Sequence, residues 1–195
     1  MNDTLLWYTT RAAGAVSLVL LSGIVILGLL ARARLEGRRW PRFLTAALHR
    51  DLALMALVFL GLHIVTAVVD PFTHLGLTAA TVPFGSSYRT FWLGLGTIAF
   101  ELIIALIVTS LLRNVIGARV WRTVHWIAYA AWPVAVAHGL GTGTDAFSLW
   151  LLSITAICVA GVVGAAVWRF RVGAADTLPS ERRAAMATAS FGGRR

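Results

Sequence analysis

Five long, mainly apolar stretches, at residues 5–31, 46–69, 90–112, 119–138 and 147–169, leave this chain one solvent in which it can fold. Each is about as long as the ~20 residues a helix needs to cross ~30 Å of hydrocarbon at ~1.5 Å per residue. In lipid a segment must satisfy its own backbone N–H and C=O groups, so all five are predicted to be helices. Of the 195 residues 58% are hydrophobic and 13% charged, and the mean hydropathy is +0.80, which leaves too little polar sequence for a soluble domain. The expected fold class is all-α: a polytopic bundle of five transmembrane helices over residues 1–172. A cytoplasmic, disordered tail rich in Ala, Arg and Gly is expected over 173–195.

A net charge of +9 would point to nucleic acid in a soluble protein, but here every one of the 17 basic residues is an arginine and most flank the apolar stretches. No basic face interleaved with aromatics lies outside the stretches, so nucleic acid is excluded as a partner. The arginines set topology instead. Arg32, Arg34, Arg38, Arg39 and Arg42 follow the first stretch, Arg113, Arg119 and Arg122 cluster where the third ends and the fourth begins, and Arg169, Arg171, Arg182, Arg183, Arg194 and Arg195 lie at the end of the fifth and beyond it. The other side has Arg11 and Arg89. The positive-inside rule therefore places the N-terminus outside and the C-terminus in the cytoplasm, in a multi-pass protein of the cell membrane. Trp7, Trp40, Trp92, Trp121, Trp150 and Trp168 fall near stretch ends, where an amphipathic ring suits the headgroup level. The first stretch lacks a basic leader and a small-residue cleavage site, so it is expected to be retained as a helix. Cys158 has no second cysteine to pair with.

Four of the five histidines fall inside these stretches as two pairs, His49 with His63 and His125 with His138, separated by 14 and 13 residues. A neutral imidazole is costly in hydrocarbon but is a strong axial ligand for haem iron. Both stretches run from inside to outside, which sets His49 and His125 near the cytoplasmic face and His63 and His138 near the outer one. Paired by depth, His49 with His125 and His63 with His138, they would hold two haems stacked across the bilayer. At ~100° per residue, His49 and His63 return to within ~40° of one face, whereas His125 and His138 end ~140° apart on a regular helix. The second helix is therefore predicted to be distorted near Trp132 and Pro133, since proline removes a backbone hydrogen bond and kinks a helix.

Two parallel helices with histidine spacings of 14 and then 13 resemble the transmembrane domain shared by ferric reductases and NADPH oxidases. The resemblance covers roughly residues 5–169 and implies that His49, His63, His125 and His138 ligate two haems b. That family's core has six helices, usually followed by FAD- and NADPH-binding domains. This chain shows five stretches and no room for either domain, so it is similar to the stand-alone bacterial members, which borrow a donor. Flavin is not indicated by the sequence itself.

Haem propionates need cationic or hydroxyl partners near the membrane faces. Arg11, Tyr88 and Arg89 are candidates outside, with Arg50 and Arg122 inside. Glu101, in the middle of the third stretch, is an intramembrane acid that could orient a ligand imidazole or relay protons. Trp126, Tyr129 and Trp132 are expected to pack against the macrocycle or helices. Gly139-Leu140-Gly141-Thr142-Gly143 follows a membrane helix rather than a strand and is expected to be an outer turn, not a nucleotide loop. Gly14, Ser17, Gly161 and Gly164 would allow close helix packing, and His74 is expected in a solvated loop.

The expected function is that of a membrane cytochrome b, the electron-transfer component of an oxidoreductase. A cytoplasmic flavoprotein or quinol would be the donor; an extracytoplasmic redox protein, ferric chelate or oxygen would be the acceptor. Two alternatives stand beside it. One is the quinol-fed haem subunit of a periplasmic methionine sulfoxide reductase-type system. The other, from a different class, is a proton transporter or channel relaying through His and Glu101.

Overall fold

A computed structural model describes residues 2–32, 42–71 and 75–192, with side chains described over 4–31, 43–71 and 75–171. His74, Trp40 and the loop arginines Arg34, Arg38 and Arg39 lie outside the described residues. Among those described, the chain forms helices and no strands: α1 (Asn2–Arg32), α2 (Arg42–Val69), α3 (Leu77–Thr81), α4 (Thr90–Leu111), α5 (Arg113–His125), α6 (Ala128–Thr142) and α7 (Leu149–Gly192). Four of them hold stretches long and apolar enough to cross a membrane, at Thr4–Ala31, Phe43–Val69, Thr90–Leu111 and Leu149–Arg171. These coincide, within a few residues, with the first, second, third and fifth stretches read from the sequence. The helical backbone of α7 continues past its apolar part to Gly192.

The fourth stretch is different. In place of one helix the chain forms α5 and α6, joined through Trp126 and Ile127. Gly117, at φ 80° and ψ 155°, also breaks α5, so the segment that runs through the bundle is 118–142. Around the join the ladder tightens to i→i+3 bonds. Trp126 N–H donates to Thr123 O (3.2 Å), Ile127 to Val124 O (2.9 Å), Tyr129 to Trp126 O (3.1 Å) and Ala130 to Ile127 O (2.9 Å). Pro133 supplies the cause, since it has no N–H for the Tyr129 carbonyl and its ring presses on that group. The preceding turns are thereby released into 3₁₀ geometry. The expected distortion exists, but it lies at Thr123–Ala130, before Trp132 and Pro133 rather than at them.

The interior is made of small residues: Ala13, Ala56, Ala99, Ala131, Ser17, Ser22, Thr66 and Thr97 are buried, whereas large side chains such as Val58 (69% exposed) and Ile157 (72%) point outward. That inversion suits lipid, where close backbone approach replaces the hydrophobic effect as the source of helix association. α1 packs along α2 and α7 and touches α6, while α4 packs along α6. Thr10 Oγ1 donates to Thr66 Oγ1 (2.8 Å) and Trp132 Nε1 to Ser22 Oγ (2.9 Å), so α1 runs antiparallel to both α2 and α6. α2 and α6 therefore run in the same direction. They do not pack along one another, and the space between them is where the histidines meet.

Candidate cofactor site between two parallel helices

The four membrane histidines come together as two pairs across that space. The His49 and His125 rings lie with centroids 6.3 Å apart, and the His63 and His138 rings 6.4 Å apart. The 3₁₀ passage explains how unequal spacings reach equal register. Between His125 and His138, the steps from 125 to 130 turn ~120° each and the others ~100°, a total of about 1,400°. Fourteen regular α-helical steps, as from His49 to His63, give the same rotation. Both helices thus present their two histidines on one face.

The His63–His138 pair is tightly set. His63 Nδ1 lies 2.8 Å from Thr10 O and His138 Nδ1 2.9 Å from Trp92 O. A carbonyl can only accept, so each Nδ1 carries the hydrogen and each Nε2 keeps its lone pair. Thr142 Oγ1 is also 3.2 Å from His138 Nδ1. Both rings lie against glycines: a Cβ on Gly14 would stand 2.9 Å from His63 Nδ1, and one on Gly96 would overlap the His138 ring. A cavity of about 290 Å³ opens between these rings, with mainly apolar walls from α1, α2, α4 and α6. Its polar groups include Arg11, Asp70 and Tyr88.

At the other pair, His49 lies close to the backbone of Ile24 on α1. The His125 ring stacks on Trp121, one turn earlier, with centroids 5.0 Å apart and planes 28° from parallel. Backbone carbonyls therefore orient both imidazoles of the His63–His138 pair. Glu101 orients none of them: it lies on an exposed side of α4 and does not line the cavity.

The arginines divide. Arg11 reaches the cavity and pairs with Asp145, donates to Thr144 Oγ1 at 2.8 Å, and lies 5.0 Å from the Trp7 ring centre. Arg89, in left-handed conformation at the start of α4, donates to Gly141 O at 2.6 Å and does not line the cavity. Arg50 is exposed and pairs with its neighbour Asp51 at 3.1 Å, and Arg122 is exposed. The glycines at 139 and 141 belong to the last turns of α6, which ends at Thr142, so only Gly143 opens the turn. Of the glycines expected to ease packing, Gly14 and Gly161 do so, the latter against Ile26, while Gly164 faces open space.

Sequence reasoning missed Thr10, Trp92 and Gly96. Two act through backbone carbonyls and one through the absence of a side chain, and none of these leaves a signal in a single sequence.

The family model described as ferric reductase like transmembrane component matches residues 13–136, well over half of the chain. No curated protein and no solved structure matches it.

Proposed function

The chain belongs to the family of ferric reductase like transmembrane components, and on that premise we propose that it carries electrons across the cell membrane through two haems b. One haem is ligated by His49 and His125, the other by His63 and His138. The observation that carries the reading is the spacing of the ring pairs, 6.3 and 6.4 Å between centroids. An imidazole–metal bond is ~2 Å and a ring centroid sits a little over ~1 Å behind its nitrogen, so two imidazoles on opposite sides of one metal stand roughly 6 Å apart. The residues fit in a second respect: Nδ1–H of His63 and of His138 is fixed on a backbone carbonyl, which leaves Nε2 available for a metal.

The haems, when bound, supply the one-electron chemistry. The chain's residues hold and insulate them. Gly14 and Gly96 let the ligand rings seat against α1 and α4, and the apolar walls keep water out. Arg11 and Tyr88, which line the cavity, would be the partners of the propionates. The five-span topology has α5–α6 as the fourth crossing, with the N-terminus outside and the cytoplasmic tail beyond residue 172. It follows from the arginines at the ends of α4, α5 and the apolar part of α7. His49 and His125 then face the cytoplasmic donor, a flavoprotein or quinol. His63 and His138 face an outer acceptor: ferric chelate, oxygen or a redox protein.

The test is ligand deletion followed by electron paramagnetic resonance on purified protein. His63→Ala and His138→Ala should abolish the same low-spin ferric signal, and His49→Ala and His125→Ala the other. Loss of a shared signal by His63→Ala and His49→Ala would overturn the pairing.

A further inference from the structure

The 3₁₀ passage that brings the histidines into register has a second consequence. With three residues per turn, side chains at i and i+3 eclipse. Trp126 and Tyr129 stand in that relation across the passage, and Trp132 continues the series. Their common side is turned away from α2, toward α1 and α7, where all three line a second cavity of about 300 Å³. Val25 on α1 and Ala166 and Arg169 on α7 complete the part that matters. The cavity lies in the arginine-rich half of the bundle, and Trp126 directly follows His125.

Its lining is selective. The Trp126 and Tyr129 rings lie 5.2 Å apart, offering flat apolar surface. The Trp132 N–H is already given to Ser22 Oγ at 2.9 Å, which fixes that ring as a wall. Among the described residues of the lining, the Tyr129 hydroxyl and the Arg169 guanidinium are donors able to meet a ligand. This is a site for a flat ring with hydrogen-bond acceptors and no strong charge. The volume sits at the lower end of the ~300–1,000 Å³ of small-molecule sites, which suits a single small ring system better than a flavin with its ribityl chain.

We propose that this cavity binds the ring of a membrane quinone, with its carbonyl oxygens toward Arg169 and Tyr129 and its isoprenoid tail in the lipid. The proposal rests on the electron-transfer reading and narrows its donor to a lipid-soluble carrier, delivered to the back of the helical turn that bears His125.

An azidonaphthoquinone probe, photolysed with the purified haem-loaded chain in nanodiscs and mapped by peptide mass spectrometry, tests it. Labelling should fall on α5–α6 at Trp126–Trp132 or on α7 near Arg169, and excess menadione should suppress it. Ala166→Phe, which fills the cavity, and the milder Arg169→Gln should each weaken menadione binding at least tenfold while haem content stays at the wild-type level. Labelling elsewhere, or unchanged affinity in both variants, would overturn the proposal. Suppression by flavin mononucleotide at concentrations equal to menadione would overturn the choice of a quinone. Haem content is read in the same samples, so quinone binding to a chain that takes up no haem would sink the electron-transfer reading and leave the pocket standing.

Discussion

At the scale of single residues, the glycines against the His63 and His138 rings make the sharpest demand. A side chain at Gly96 would occupy the place of the His138 ring, and one at Gly14 would crowd His63. Gly96→Val and Gly14→Val should each remove the same haem. The double variant should remove no more than either alone, because both act on one pair. Gly61→Ala, which meets open space, should leave haem content unchanged. Haem-to-protein ratios from absorbance check all four, and additive loss would show that the two glycines serve different sites. Arg11 makes a second demand. A cation beside the His63–His138 cavity favours the reduced state of whatever is bound there. Arg11→Gln should therefore lower one of two midpoint potentials, on the order of tens of millivolts. Arg50→Gln, exposed and paired with Asp51, should move neither. A redox titration decides. The pairing of the histidines was legible in the sequence, because four side chains costly in hydrocarbon and set at matched depths are expected to meet. Gly96, Thr10 and Trp92 were not, because their roles depend on which helix packs beside which.

At the scale of elements, the break between α5 and α6 is what permits a 13-residue spacing to set His125 and His138 on one face. The sequence showed that some distortion was needed and that Pro133 could supply it. Its position was not legible, because a proline releases the turns before it rather than its own. Restoring the missing N–H should let the helix relax toward regular geometry, where His125 and His138 diverge by ~140°. Pro133→Ala is therefore expected to lower haem occupancy at one site while raising helical ellipticity at 222 nm slightly. Full occupancy with unchanged spectra would show that packing against α1 and α4, not the proline, holds the break. The same reasoning explains why Gly139 and Gly141 end up inside α6. In lipid a helix keeps its backbone bonds even through glycines, and Gly141 leaves room for Trp92.

At the scale of the whole molecule, electron transfer across the bilayer requires that the two histidine pairs face opposite sides of the membrane. The proposed direction rests on the arginine distribution. A fluorescent-protein fusion at the C-terminus should be bright, and an alkaline phosphatase fusion there inactive. The reverse result would exchange the donor and acceptor faces. The all-helical, multi-pass character was readable from apolar length alone. The gap between α2 and α6 was not, since no single stretch records that two helices with facing histidines stand apart rather than pack. That gap, spanned at 6.3 and 6.4 Å by paired imidazoles, is the feature on which the proposed function depends. Its most direct test is a pyridine haemochrome assay with reduced-minus-oxidised spectra on the purified chain: two haems b per polypeptide are predicted, and a folded protein that binds none would contradict it.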